Sequence, residues 1–196
     1  MQPEDLIASS AASAVISDPR LEDNPIVACN DAFLALTGYA REEIIGHNCR
    51  FMVGPDTEPL LTEVLREGIR NQTPTMVEIL NYKKDGTPFR NAVMVAPIFG
   101  ENGSVRYFLG SQVEIVEDQP LALDQRRGHA HRRVADLTPR QREILIEMSK
   151  GKLNKQIAYD LGLTERTVKM HRAAMFRALE VKTSADAIRV AVEGGF

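Results

Sequence analysis

Leu80-Asn81-Tyr82-Lys83-Lys84-Asp85-Gly86-Thr87-Pro88-Phe89 is the stretch that decides how the first half of this 196-residue chain folds. Its Asp-Gly pair supplies the positive φ that a tight turn needs. It lies between Val77-Glu78-Ile79-Leu80 and the run from Phe89 to Val95, both rich in β-branched or aromatic residues. The reading is a β-hairpin, with strands predicted over Thr75 to Tyr82 and Pro88 to Phe99. Outward from it, a loop at Gly100 to Ser104 leads to a strand from Val105 to Glu114, and Ala14 to Ser17 and Ile26 to Cys29 bring the candidates to five. Helices fit Asn30 to Gly38, with Asn30 able to cap, and Glu58 to Asn71, where Leu61, Val64, Leu65 and Ile69 fall at helical spacing. Short strands broken by turns, with helices among them, make an α+β domain.

Composition narrows the classes. With 43% hydrophobic and 26% charged residues the chain is globular, and no run approaches the roughly 18 apolar residues of a membrane span. Gln2, Pro3, Glu4 and Asp5 do not open a signal peptide, so the expected location is cytoplasmic, with no membrane partner. Cys29 and Cys49 are too few for a disulfide framework and lack the companions of a zinc site, so free thiols and no metal are expected. Cys29 reads as a buried structural thiol, with redox sensing as the alternative. No acid–base pair of an enzyme is evident. Charge is uneven: residues 1–116 carry nine Lys and Arg against sixteen Asp and Glu, whereas residues 134–196 carry eleven against eight. The cationic end suits nucleic acid or an ordinary solvated surface.

Between Val116 and Leu137 the chain turns polar, through Asp124-Gln125-Arg126-Arg127-Gly128-His129-Ala130-His131-Arg132-Arg133. The expected division is therefore a first domain over residues 1–116, a linker over 117–136 and a second domain over 137–196. The linker is either bare or a helix interrupted at Gly128, and a partly helical linker is the expectation. Four helical blocks follow: Pro139 to Lys150, Asn154 to Leu161, Glu165 to Leu179 and Ser184 to Glu193. Thr138, Thr164 and Ser184 are N-cap types at their starts, and Gly151 and Gly162 mark stops.

Gly46-His47-Asn48-Cys49-Arg50-Phe51 carries the chemistry. With Asn30-Asp31-Ala32-Phe33, Leu36-Thr37-Gly38-Tyr39, the hairpin stretch above, Asn91 and Gly110-Ser111-Gln112, it resembles the flavin-binding LOV subclass of PAS domains, whose signature is Gly-x-Asn-Cys-Arg-Phe-Leu-Gln. The resemblance implies a five-stranded antiparallel sheet with helices, and FMN as cofactor, with FAD the lesser alternative. It makes Cys49 the thiol that forms a reversible adduct with the photoexcited flavin. Asn81 and Asn91 would satisfy the polar edge of the ring, since an amide offers both donor and acceptor. Gln112 would face the reactive nitrogen, Asn48 the ring or ribityl chain, and the guanidinium forks of Arg50 and Arg66 one terminal phosphate. The chain departs from the signature at Met52-Val53, which removes one polar contact to the flavin. A flavin redox sensor and a flavin-free ligand sensor are the rival readings.

Leu137-Thr138-Pro139-Arg140-Gln141-Arg142-Glu143-Ile144-Leu145, Asn154-Lys155-Gln156-Ile157-Ala158, Leu161-Gly162-Leu163-Thr164 and Thr167-Val168-Lys169-Met170-His171 are similar to the LuxR-type four-helix DNA-binding domain. A short helix, a Gly-containing turn and a second capped helix form a helix-turn-helix, with Ile157, Ala158, Leu161, Val168, Met175 and Leu179 inward. Lys169 and Met170, with Arg172 and Ala173, are candidates for base edges of double-stranded DNA. Lys155, Thr164, Arg166, Thr167, His171 and Arg177 read as phosphate contacts, with packing an alternative for His171. Ala187, Ile188, Ala191 and Val192 of the last helix are expected to pair in a homodimer. The two resemblances together imply a light-activated transcriptional regulator, monomeric in the dark and dimeric in the light, with the sensor sheet covering the last helix in the dark.

Overall fold

The computed structural model describes residues 2–115 and 123–196, with the side chains of residues 123 and 124 left aside. The expected domain end at residue 116 and the linker's first residues, 117–122, lie outside the described residues. Strands β1 (Ser13–Ser17), β2 (Ile26–Cys29), β3 (Thr75–Tyr82), β4 (Pro88–Phe99) and β5 (Val105–Glu114) form one sheet in the order β2-β1-β5-β4-β3. Every neighbouring pair is antiparallel. The hairpin between β3 and β4 closes as its sequence requires. Gly86 sits at φ 84°, and the Asp85 carboxylate accepts the Thr87 N–H at 2.9 Å.

Helices α1 (Asp31–Thr37), α2 (Arg41–Ile44) and α3 (Pro59–Asn71) fill the span between β2 and β3. Asn30 caps α1 by accepting the Phe33 N–H at 3.0 Å, and its NH2 group donates to the Ala12 carbonyl at 2.8 Å. One side chain thus ties the helix start to the N-terminal segment. The short α2 and the 3-10 turn Cys49–Met52 have no periodicity to announce them and were not predicted. In α3, Leu61 and Leu65 pack inward, whereas Val64, expected on that face, is 41% exposed. Both sheet edges are bonded by the chain itself. At β3, the Leu80 N–H donates to Glu58 Oε2 at 2.9 Å and the Thr57 hydroxyl donates to the Leu80 carbonyl at 2.8 Å. At β2, the Ile26 N–H donates to the His47 carbonyl, and the Gly46 N–H to the Ile26 carbonyl, each at 2.9 Å.

Successive residues of a strand point to opposite faces. The register therefore places Ser13, Gln112, Val93 and Val77 in one row on one face, and Ala14, Ser111, Met94 and Met76 on the other. The first face looks onto α3 and the Cys49 turn. Behind the second lie the C-terminal helices α4 (Leu123–Ala135), α5 (Pro139–Ser149), α6 (Asn154–Asp160), α7 (Glu165–Ala178) and α8 (Ser184–Glu193), of which α8 packs directly on β3 and β5. One continuous apolar core runs from Ile16, Met94 and Leu109 of the sheet to Ile144, Leu145, Met175 and Leu179 of the helices.

Thr138 and Thr164 cap α5 and α7, each accepting the N–H three residues on. For α8 the cap is Thr183, not Ser184 as expected, because the Thr183 hydroxyl accepts the Asp186 N–H at 3.1 Å. Helix α4 runs through Gly128 without a break, which removes the interrupted-helix alternative. It is also more than a spacer: Ala130 and Val134 are buried in the shared core, Arg133 donates to the Leu179 carbonyl, and Arg142 donates to the Ala135 carbonyl at 2.6 Å.

Candidate functional site

A cavity of about 510 Å³ lies between the inner sheet face, the Cys49 turn and α3. That is within the roughly 300–1,000 Å³ typical of small-molecule sites. Its walls are mostly aliphatic, with Val15, Ile79, Val93 and Val95 from the sheet and Leu65 and Ile69 from α3. Gly110 lines it too; a Cβ there would meet Val15 Cγ2 at 2.8 Å, so the backbone comes close to the cavity. Asn48 caps the turn that carries the cysteine, its Oδ1 accepting the Arg50 N–H at 3.2 Å. Cys49 joins the cavity wall, and burial pushes its thiol up to about 12, so the sulfur is protonated at neutral pH.

The polar groups cluster at one end. Asn91 Nδ2 donates to Asn81 Oδ1 at 2.9 Å, and Asn81 Nδ2 to the Met52 carbonyl at 3.3 Å. Asn81 and Gln112 line the cavity, and Asn91 stands behind Asn81. Gln112 Oε1 and Asn91 Oδ1 here, and Asn24 Oδ1 beside Asp23, are buried and have no hydrogen-bond partner among the described residues. Each such group costs roughly 1–3 kcal/mol when left unsatisfied, so the site is built for a ligand that returns hydrogen bonds. A flat ring system with donors and acceptors on one edge and an apolar body, which is the chemistry of a flavin, fits these residues.

At the other end Arg50 and Arg66 both reach the cavity. Arg50 is held in a fork by Asp23, with N–O distances of 2.7 and 2.5 Å, and the Asn48 amide donates to the Asp23 carbonyl at 2.7 Å. Arg66 pairs with Glu63 at 3.3 Å. Both guanidiniums are mostly exposed, suited to a terminal anionic group at the mouth. Asp23 and Asn24 hold left-handed backbones at φ 67° and 49°. Neither was singled out from the sequence; consecutive Asp-Asn is the residue choice that tolerates such turns, and that was the available signal. Val53, where the LOV signature has glutamine, lines the cavity and is 49% exposed.

On α7 and around it, Lys155, Thr164, Arg166, Lys169, Met170, Ala173 and Arg177 are exposed, and Thr167 and His171 are half-buried. Thr164 and Thr167 also share a hydroxyl–hydroxyl bond of 2.9 Å at the helix start. Arg172 corrects the expectation of a base contact. It donates to Asn154 Oδ1 and, at 2.6 Å, to the Ser184 hydroxyl, and its guanidinium lies 5.7 Å from the Phe176 ring centroid. Its role is to brace the bundle. Ile157, Val168, Met175 and Leu179 are fully buried as expected, and Leu161 only partly.

Helix α8 meets the sheet through Arg189, which donates to the Ser111 carbonyl at 3.2 Å, the Ser111 hydroxyl at 3.1 Å and the Ala92 carbonyl at 3.2 Å. At 100° per residue, Ala187 and Ala191 point about 160° away from Arg189. They are fully buried, with α5 against the helix. Those two predicted dimer residues therefore belong to the bundle's own core, whereas Ile188 and Val192 flank the sheet-facing side. Further links join the halves, among them a bond from the Gln156 amide to the Gly100 carbonyl at 3.4 Å. The Ser10 hydroxyl donates to Asp186 Oδ1 at 2.6 Å, and the Phe99 N–H donates to the Gly151 carbonyl at 3.1 Å. Among the described residues no cluster of metal-ligating side chains occurs, and no helix is long and apolar enough to cross a membrane.

Residues 13–117 match the PAS domain family, and residues 135–191 match the luxR family of bacterial regulatory proteins. The chain is 52% identical over 120 residues to the blue-light-activated histidine kinase 1 of Erythrobacter litoralis (strain HTCC2594), covering 61% of this chain and 32% of that protein. It is 46% identical over 103 residues to Phototropin-1A of Oryza sativa subsp. japonica, covering 53% and 11%. The chain thus spans about a third and about a tenth of these two relatives. Among solved structures, the LOV domain from an Erythrobacter litoralis blue-light activated histidine kinase aligns with a TM-score of 0.52 at 36% identity, covering 55% of this chain and 98% of that one. The cavity-bearing sheet and the helices docked behind it place the chain in the PAS domain family, as a LOV-like sensor joined to a LuxR-type helix-turn-helix region.

Proposed function

We propose that the chain is a blue-light-activated, one-component transcriptional regulator that binds FMN in the Cys49 cavity and double-stranded DNA through α7. One observation carries the reading: Gln112, whose amide oxygen faces the cavity unpaired, is the strand neighbour of Ser111, which holds α8 on the opposite face. A change at the cavity end of Gln112 is one residue from the contact that restrains the DNA-binding half.

Asn81 and Asn91 would hold the ring edge, Gln112 would sense the ring's hydrogen-bonding state, and Arg50 and Arg66 would hold the single phosphate that favours FMN over FAD. When bound, the flavin supplies a ring carbon that light makes electrophilic, and the Cys49 thiol is the group placed to bond to it. Because that thiol is protonated beforehand, it stays inert in the dark and brings its own proton to the event. Gln112 answers by exchanging donor and acceptor ends. The altered β5 weakens the hold on Arg189, α8 separates from the sheet, and the freed bundle pairs and binds DNA, with Lys169, Met170 and Ala173 toward the bases and Lys155, Arg166 and Arg177 toward phosphates. The docked arrangement is the resting, monomeric form. This is a binding switch without turnover, placed in the cytoplasm.

The test is an absorption spectrum of the purified chain before and after blue light, with size-exclusion chromatography of both samples. Reversible loss of flavin absorbance with a shift from monomer to dimer is expected. A colourless protein, or a bleached one whose size never changes, overturns the cavity assignment or the coupling respectively.

A further inference from the structure

Arg189 is 6% exposed on a helix whose neighbours in sequence are Ile188 and Val190. Three of its hydrogen bonds go to neutral acceptors, two carbonyls and one hydroxyl. Among the described residues the carboxylate nearest to it is Glu193, at 3.5 Å, and Glu193 also pairs with Arg126 at 3.4 Å. Two guanidiniums therefore share one carboxylate at the seam between the halves. Resting on the function proposed above, we infer that Arg189 is the residue that keeps docking reversible: it aligns α8 on the sheet while burying a positive charge that its surroundings only partly compensate.

Three features support this. A buried charge gains stability only when good geometry and a full set of partners offset its desolvation, and an apolar residue of similar volume in its place is often neutral or stabilising. Burial lowers the proton affinity of Arg189, the direction expected of a cation held where water would serve it better. The two carbonyls belong to residues inside the sheet, whereas the Ser111 hydroxyl has Arg189 as its hydrogen-bond partner. Ser111 is paired with Ala14 on one side and Met94 on the other, and Ala92 with Glu78 and Val113, so both lie within the ladder. The forked guanidinium spans β4 and β5 at once, which fixes where α8 lands. The same group sets an upper limit on how tightly it lands.

The experiment follows amide hydrogen exchange of residues 184–193 in the full, flavin-loaded chain kept in the dark, with the amides of α5 as internal reference. Arg189→Met should slow exchange at least fivefold and shrink the light-driven increase. Arg189→Lys, which keeps the charge but cannot reach both strands, should speed it at least threefold. Glu193→Gln leaves Arg189 in place and removes the shared carboxylate, so it too should speed exchange at least threefold, and it serves if the Met variant misfolds. Faster exchange in Arg189→Met, or unchanged exchange in Glu193→Gln, overturns the inference. Adduct formation is read separately by absorbance. If light forms the adduct in the unsubstituted chain without loosening α8, the proposed coupling fails while the dark comparison still decides the role of Arg189.

Discussion

On the cavity side of the sheet, Gln112 Oε1 and Asn91 Oδ1 are buried without a hydrogen-bond partner among the described residues. One residue along β5, on the far side, Ser111 commits both its hydroxyl and its carbonyl to Arg189. The two faces share strands, register and apolar character, and differ in how their polar groups are satisfied. The inner face is preorganised for a ligand that must supply the missing partners. The outer face is already complete without one. A signal can therefore enter by changing what the inner amides bond to, and it leaves by undoing bonds that exist, with no new structure to build on the outer side.

Substitutions that touch one face alone test this contrast. The largest effect belongs to Cys49→Ala, which should abolish the reversible light-induced absorbance change while leaving the flavin bound. Residual reversible bleaching through a thioether would break the assignment. Next is the thiol itself. With its pKa raised to about 12, Cys49 is neutral below that range and becomes a thiolate only as pH rises through it. Dark alkylation at pH 8 should be about 10³-fold slower than for a free cysteine of pKa about 8.5, as measured by mass spectrometry against time.

On the outer side, Gly151→Ala attacks another link between the halves. Gly151 sits at φ 84°, and a Cβ there would lie 2.4 Å from the Pro97 carbonyl oxygen. The left-handed backbone alone costs an ordinary residue about 1–2 kcal/mol, so the Phe99 N–H, which donates to the Gly151 carbonyl, should exchange roughly tenfold faster. Flavin binding should be untouched; a loss of it would mean that the two faces are not separable. The smallest effect is that of Thr138→Ala, which removes the α5 cap at a cost of about 1 kcal/mol. A melting temperature lower by about 2–4 °C with an unchanged photocycle is expected.

Much of the sensor was legible because its signals are local. The Asp85-Gly86 turn, the alternating strands and the Asn30 cap all act over a few residues. The cavity's amides were legible through the resemblance to the LOV signature, and amide chemistry, with a donor and an acceptor on each, gave their role a physical reason. What escaped was long-range. Nothing near Asp23 announces that it will hold Arg50, twenty-seven positions on. Ser10 reaches Asp186 across almost the whole chain. Arg189 carried a local hint, a lone cation in the run Ala187-Ile188-Arg189-Val190-Ala191, but its meaning depended on Ser111 and Ala92. Arg172 failed as a base reader for the same reason: its helical position allowed the groove, and Asn154 and Ser184 claimed it.

The two stoppered edges of the sheet have a consequence for how copies of this molecule can meet. Unpaired strand edges invite other chains to add a strand, the route to runaway fibrils. Here Thr57 and Glu58 occupy the rim of β3, and the loop at Gly46 and His47 occupies the rim of β2. Each margin is thus blocked at one residue, Leu80 on β3 and Ile26 on β2. Under the proposed switch, which uncovers the broad outer face, these two stoppers hinder growth by strand addition and favour association through helices, which can stop at two.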